Sequence, residues 1–283
     1  MNSQAGEFPL DYLVIGHITQ DQHEEGYRLG GTAVYSGILA HRMGLKVAVY
    51  TSGASGLDLE VMDGIEIIDQ PGPGTTTFIN QYTPSGRIQR LLERAEELDI
   101  SRIPEEWKQA RIIHLAPVAR EVPLTAGEHF PGGFLGYSLQ GWMRTWDEEG
   151  QISPSPLPEM SKPVRDEALG ILSLEDLGDD RSGLERLQGQ FPTLALTLGS
   201  QGVEIYSGSN SQRIPAPLTP EIDPTGAGDI FAAALMIFWK IRDLPIEEAA
   251  RLANLLAAAS VKKPGIKGVP EIREISEMTK VHR

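Results

Sequence analysis

The heptapeptide Asp223-Pro-Thr-Gly-Ala-Gly-Asp229, followed at once by Ile230-Phe-Ala-Ala-Ala-Leu235, carries the clearest chemistry in this sequence. Small residues lead directly into an apolar helical run, with a carboxylate in its first turn. Such a turn presents unpaired backbone N–H groups backed by the positive end of a helix dipole. That makes an anion site, and glycine lets a phosphate approach the backbone closely. A carboxylate beside a bound phosphoryl group can accept the proton of a hydroxyl that attacks phosphorus. Taken alone, the segment reads first as a tight turn with an N-capping Asp229, and only second as such a site. Two further glycine clusters bear on that choice. Gly30-Gly31-Thr-Ala-Val34 opens an early helix, and Thr197-Leu-Gly-Ser-Gln-Gly202 follows a buried strand.

The elements that must position these clusters alternate. Tyr12-Leu-Val-Ile-Gly16 is a short apolar run ending in Gly, as buried strands do. Apolar residues at helical spacing fill 34–43, and Gly44 stops them. Residues 46–50 are the next strand, so the chain opens with the strand–helix–strand unit of a parallel sheet. The Thr- and aromatic-rich segment 75–82, a turn at Pro84-Ser-Gly86 and the charged strand 87–92 then read as a β-hairpin that interrupts the alternation and serves as a lid. Alternation resumes with strands at 111–115, 133–138, 168–172 and 193–198. The Pro- and Ser-rich stretch 151–164 reads as a surface loop. Segments 203–206 and 212–214 form a late hairpin, and two long helices, about 227–241 and 246–261, close the chain. The fold expected is α/β: a doubly wound, mostly parallel sheet flanked by helices, with a small β-lid.

Composition excludes several other chemistries. The 283 residues hold no cysteine, so there is no thiolate nucleophile, disulfide framework or Cys-ligated metal. A net charge of −14 argues against nucleic acid and against an anionic membrane surface as partners. The start of the sequence has no cationic n-region followed by an apolar h-region, and no apolar run is long enough to span a bilayer, so a cytoplasmic protein is expected. GxxxxGK[ST] is absent, the first strand lacks GxGxxG, and the six histidines form no HExxH. His114, within Arg111-Ile-Ile-His-Leu115, reads as a satisfied core or strand-end histidine; His17, near Asp21, could face a substrate. The four tryptophans are scattered, and the acidic runs at 147–149 and 175–180 read as solvated surface, apart from Glu175 and Asp176 after a strand end.

The three glycine clusters, in this order, resemble the ribokinase-like (PfkB) carbohydrate kinase family, most closely in Asp223-Pro-Thr-Gly-Ala-Gly-Asp229 with Ala233 and Ala234 downstream. The resemblance runs from the Gly16 strand end to the last helix. It implies a single domain over 1–283 with a lid near 17–29 and 75–94. It implies Asp229 as catalytic base, and Gly226, Ala227 and Gly228 as an anion hole for the charge developing on the transferred phosphoryl group. Asp21, Gly30 and Gly31 match positions that hold substrate hydroxyls. Thr197, Gly199 and Gly202 match the loop lining the nucleotide; Thr225, Asn254 and Ala258 join that nucleotide site. ATP as phosphate donor, Mg²⁺ and a homodimer through the lid are further implied.

Three positions depart from the pattern. Tyr35 stands where the family usually has a substrate-contacting Asn, which is compatible with an unusual acceptor such as an inositol-like polyol or a nucleoside. The Asn-x-x-Glu motif survives only as Ser173-Leu-Glu-Asp176, leaving Glu175 or Asp176 to order metal and phosphate through water. Gln140 replaces another Asn, while Arg144 could reach a phosphate or an acidic substrate group. The expected function is transfer of the ATP γ-phosphate to a hydroxyl of a sugar, polyol or nucleoside. ADP or GTP as donor, and a non-catalytic binding or regulatory protein on the same fold, are the alternatives. An acidic protein handling a polyanionic nucleotide must rely on Mg²⁺, the helix dipole and backbone N–H groups.

Overall fold

Buried aliphatic runs supply the strands of the structure, a computed structural model that describes residues 9–23, 26–83, 86–160, 162–178 and 181–280. In chain order the elements are β1 Tyr12–Ile15, β2 Thr19–His23, β3 Gly26–Gly30, α1 Thr32–Arg42, β4 Val47–Ser52, β5 Glu66–Gln70, β6 Thr77–Thr83 and β7 Gly86–Glu93. There follow β8 Ile112–Leu115, β9 Phe134–Ser138, β10 Arg144–Trp146, β11 Ile152–Pro154, β12 Ala168–Ser173, α2 Leu174–Leu177 and α3 Arg181–Gln190. The last are β13 Thr193–Thr197, β14 Val203–Ser207, β15 Asn210–Ile214, α4 Ala227–Met236, α5 Ile246–Ser260 and α6 Ile272–Lys280.

Nine strands form the main sheet in the order β15-β14-β13-β12-β9-β8-β1-β4-β5. Strands β13 through β5 in that order pair in parallel, and β14 and β15 add an antiparallel edge. Strand β1 sits inside the sheet and is buried on both faces, which is why its sequence is a continuous apolar run rather than an alternation. Tyr12 and Val14 face the layer that holds α1, α4 and α5; Leu13 and Ile15 face the opposite layer. The chain first moves outward from β1 to β4 and β5, then returns to β8 on the other side. This reversal opens a crevice at the carboxyl ends of the central strands. The loops there approach closely: a Cβ on Gly16 would lie 2.1 Å from the Ala116 carbonyl oxygen.

A separate four-stranded sheet, β3-β2-β6-β7, is built from the segment after β1 and from the hairpin read in the sequence. Pro84 and Ser85 of the expected hairpin turn lie outside the described residues. Helix α4 continues through a π-turn at Ile237–Ile241, so the expected span to residue 241 is helical throughout. Two readings need correction. The stretch 151–164 is not all loop: β11 pairs antiparallel with β10, and Gln151 bridges Arg90 of β7. Its Pro- and Ser-rich composition masked a three-residue strand. The chain also closes on a third helix, α6, whose apolar residues make only one narrow stripe, with Ile275 buried. The second face of the sheet carries α3 and several single 3₁₀ turns rather than a row of long helices.

Candidate active site

Helix α1 starts on Gly31, whose φ of 91° suits glycine. A Cβ there would lie 2.7 Å from the His17 carbonyl oxygen, and one on Gly30 would lie 2.8 Å from Asp21 Oδ2. The glycine pair therefore lets Asp21, buried on β2, lie directly against the entry to α1. Thr32 and Ser36 follow one helical turn apart on one face of α1. Thr32 Oγ1 donates to Asp229 Oδ1 at 2.7 Å, and Ser36 Oγ donates to the Asp229 carbonyl oxygen at 3.2 Å. Both groups of Asp229 that could wander are thus tied to α1.

Asp229 sits half-buried in the first turn of α4, whose N-cap Gly226 adopts the left-handed conformation at φ 81°. A Cβ on Gly226 would lie 2.3 Å from the Tyr35 ring. Tyr35 is buried and packs under this turn, with its hydroxyl near Gly265. The Ala227 N–H donates to the Pro224 carbonyl at 3.1 Å, closing the turn. Gly228 is exposed, and a Cβ there would meet nothing within 4 Å. Asp223 anchors the other end: its Oδ1 accepts from the Thr225 N–H and its Oδ2 from the Gly265 N–H, both at 2.9 Å. Burial pushes the Asp223 carboxyl up, but the hydrogen bonds from Thr225 and Gly265 and the Arg28 charge outweigh it and hold the group below its ordinary value.

The small sheet presents a polar ladder. Gln89 Nε2 donates to Asn80 Oδ1 at 2.9 Å, and Asn80 Nδ2 donates to Asp21 Oδ1 at 2.8 Å. Beneath it, His17 is fully buried with both ring nitrogens engaged. The Glu96 carbonyl can only accept, so His17 Nε2–H donates to it at 2.8 Å, and Nδ1 lies 2.7 Å from the Thr76 hydroxyl oxygen. His17 fastens the base of the small sheet to the main one. Buried Glu121 performs a similar task, accepting from the backbone N–H groups of His17, Val118 and Ala119.

A groove of about 150 Å³ opens on the other side of the Asp229 turn. It is lined by Thr197, Gly199 and Gly202 of the β13–β14 connection, by Ala227 and Gly228, and by Asn254 and Ala258 of α5. Pro217, Phe231 and Val261 give it apolar walls. A Cβ on Gly202 would lie 2.1 Å from the Ile214 carbonyl oxygen, and Asn254 Nδ2 donates to that same oxygen at 3.1 Å. Thr225 does not line the groove; its N–H donates to Asp223.

Arg144 is buried on β10 and donates to the Val118 carbonyl at 3.1 Å. Glu175 is exposed, while Asp176 accepts from the Ser173 N–H and hydroxyl in a capping box. Among the described residues, no three His, Cys, Asp or Glu side chains converge on a metal position. Thr32, Ser36, Asp223 and Asn80 were not picked out from the sequence. A signal existed for the first two, since Thr32 and Ser36 are the polar pair at i, i+4 spacing in an otherwise apolar helix.

A parallel sheet, a small covering sheet and a glycine turn with a held carboxylate make up the ribokinase fold, and the chain is similar to kinases built on it. Residues 147–272 match the model of the pfkB family carbohydrate kinases, a stretch that contains the 223–229 turn. The cytidine kinase of Thermococcus kodakarensis is 29% identical over 277 residues, covering 90% of this chain and 98% of that protein. The probable fructokinase-4 of Arabidopsis thaliana is 25% identical over 281 residues, covering 89% and 83%. Among solved structures, a pyrophosphate-dependent myo-inositol-1 kinase converted into a myo-inositol-3 kinase superposes with a TM-score of 0.76 at 17% identity, covering 96% of this chain and 99% of that one. The Thermotoga maritima ribokinase superposes with a TM-score of 0.70 at 18% identity, with the same coverage. These two structural matches establish the fold.

Proposed function

We propose that this kinase transfers the γ-phosphate of ATP to a hydroxyl of a nucleoside or sugar-like alcohol, with Asp229 as general base. One observation carries the reading: Asp229 is fixed by Thr32 at the point where the groove beside α4 meets the Gly30–Gly31 turn against which Asp21 lies. The apolar groove suits a nucleotide base and ribose, and its rim at Gly228 suits the phosphates. Asp21, backed by Asn80 and Gln89, accepts hydrogen bonds from acceptor hydroxyls under the small sheet, which acts as a lid. Asp229 takes the proton of the reacting hydroxyl, the hydroxyl oxygen attacks the γ-phosphorus in line, and the bond to the β-phosphate oxygen breaks to release ADP. The N–H groups of Gly226 and Gly228, with the α4 dipole, stabilise the charge spreading over the phosphoryl oxygens. The Ala227 N–H belongs instead to the turn that holds them.

Glu175 and Asp176, after β12, would order an ATP-bound Mg²⁺ and the phosphates through water rather than ligate the ion directly. The likeness to a cytidine kinase over nearly the whole chain supports a nucleoside acceptor, and that to a fructokinase supports a sugar. Tyr27, Ile88 and Leu92 are exposed apolar residues on the small sheet, which supports a homodimer formed through the lid. No helix among the described residues is long and apolar enough to cross a membrane, and the cytoplasm supplies the ATP this reaction consumes.

The test is a turnover screen with ATP and Mg²⁺ against cytidine, other nucleosides, fructose, ribose and myo-inositol. Phosphorylation of one of them is expected. Asp229→Asn should keep nucleotide binding and lose about 10²–10⁴-fold in kcat. Undiminished turnover by that variant would show that another group is the base.

A further inference from the structure

The sheet face opposite α4 and α5 is covered by short turns, and the cover leaves a gap. Between the 3₁₀ turn Ala126–His129 and the segment 159–165 that leads into β12, a cavity of about 730 Å³ reaches down to β9. Leu124, Phe130, Leu135 and Val164 give it apolar walls. Leu135 and Tyr137 reach it from β9 and belong to the layer away from α4, so it lies on the other face of the sheet from the groove beside Asp229.

Two polar side chains that line it are incompletely satisfied by the fold. Tyr137 is only 3% exposed, with its ring packed on Phe191 and Trp142. Its hydroxyl lies over Gly127, where a Cβ would fall 2.1 Å from Oη, and it makes no hydrogen bond to any described residue. A buried tyrosine hydroxyl ordinarily has a partner. Arg165 is the second. Its Nη atoms donate to the Phe130, Gly132 and Gly133 carbonyls, and its Nε is buried without a partner. Those carbonyls fix the guanidinium but do not neutralise it, and among the described residues it makes no ion pair. The rim is closer to balance: Lys162 pairs with Glu128 at 3.2 Å, and Glu159 is exposed to water. The inner end therefore joins the Arg165 charge to a hydroxyl without a partner. Burial pushes the Tyr137 phenol up to about 12, so the hydroxyl keeps its proton and can donate it. An acceptor that bears negative charge and is carried on an apolar body would complete this end.

We propose that this cavity is a second small-molecule site, which takes a compact aromatic or branched aliphatic carboxylate. The carboxylate accepts from the Tyr137 hydroxyl and faces the Arg165 charge, while the apolar body lies on Phe130 and Leu135. A cavity of this size suits one small molecule. The inference is independent of the phosphoryl transfer proposed above, because the site includes neither Asp229 nor any residue lining the groove beside it.

Phenylacetate is the probe, read in spectra of the ¹³C-labelled tyrosines with the Tyr137 signal assigned through Tyr137→Phe. Phenylacetate should move that signal saturably, and equally with and without ATP. Phenylacetamide, the same body without the charge, should bind about tenfold more weakly. In titration calorimetry Tyr137→Phe should weaken phenylacetate by a similar factor. Gly127→Ala crowds the same hydroxyl while leaving Tyr137 in place, and it should weaken phenylacetate too; it carries the test if thermal melts show that Tyr137→Phe is unfolded. The absence of a saturable shift, equal binding of the amide, competition by ATP, or undiminished binding in the folded variants would each overturn the proposal.

Discussion

Thr32 Oγ1 donates to Asp229 Oδ1 at 2.7 Å across 197 positions of sequence. The hydroxyl comes from the first turn of α1 and the carboxylate from the first turn of α4, so two helix N-termini meet at one hydrogen bond. Both turns follow glycines held at positive φ, Gly31 and Gly226. A carboxylate held this way keeps one orientation and presents it to whatever binds between the groove and the small sheet. Thr32→Ala should lower kcat by about 10- to 100-fold, the worth of a hydrogen bond to a charged group. Thr32→Ser, which keeps the hydroxyl, should restore most of it. Steady-state kinetics of the two variants decide the point, and equal losses in both would assign the effect to the lost methyl group instead.

Gly226 and Tyr35 are a second coupled pair. Alanine at 226 meets two separate penalties, a left-handed backbone and a ring 2.3 Å from its Cβ. Gly226→Ala should therefore destabilise the protein by about 1–3 kcal/mol and cripple turnover. The Gly226→Ala/Tyr35→Ala double variant relieves the clash but not the φ strain. Its activity should stay low, while its thermal stability should fall short of the sum of the two single losses. Tyr35→Phe keeps the ring beneath the turn and should leave kcat near that of the unaltered protein.

The groove gives a prediction that separates donor from acceptor. Ala258 lines it from α5, on the far side from Asp21. Ala258→Trp should raise the KM for ATP by about tenfold or more, with the acceptor KM changed little. Asp21→Asn should do the reverse. If both variants moved the same KM, the division of the crevice into donor and acceptor halves would be wrong.

His114 sets an acid limit on stability. Its imidazole lies at about 3 in the folded protein because of burial, against about 6.5 in an unfolded chain. Below pH 6.5 the unfolded chain takes up a proton that the folded chain refuses. Stability contributed by the neutral ring is complete above that pH and is lost as pH falls toward 3. The slope is up to about 1.4 kcal/mol per pH unit from this one group. Urea unfolding at pH 7.5 and pH 5 should show the loss, and His114→Gln should flatten it.

Much of this was legible in the chain itself. Continuous apolar runs such as residues 12–15 mark parallel strands because both of their faces are covered, and helical spacing marks α1, α4 and α5. The 223–229 heptapeptide marked a glycine turn opening a helix, because glycine and a helix start are local requirements. What stayed hidden depends on long-range placement. The spacing around Tyr35 gave no hint that its ring would fill the space beneath Gly226. His17, which by position could have faced a substrate, is consumed in bonds to Thr76 and Glu96. Asp176 follows a strand end, and one of its carboxylate oxygens, Oδ2, takes the Ser173 N–H and hydroxyl in a capping box that only the structure shows.

By itself the sequence determined the alternation of elements, the glycine turns and the class of chemistry, because these follow from periodicity and from what a backbone without Cβ allows. The tertiary structure alone decided which polar side chains meet. Thr32, Ser36, Tyr12 and His114 lie on three different elements. Only the stacking of α1 and α4 over β1 and β8 brings them within 3.2 Å of partners far away in sequence. Hydrogen bonds act over such short distances that no one-dimensional pattern encodes them. The packing of apolar layers sets those distances, and that packing is the property of the whole fold.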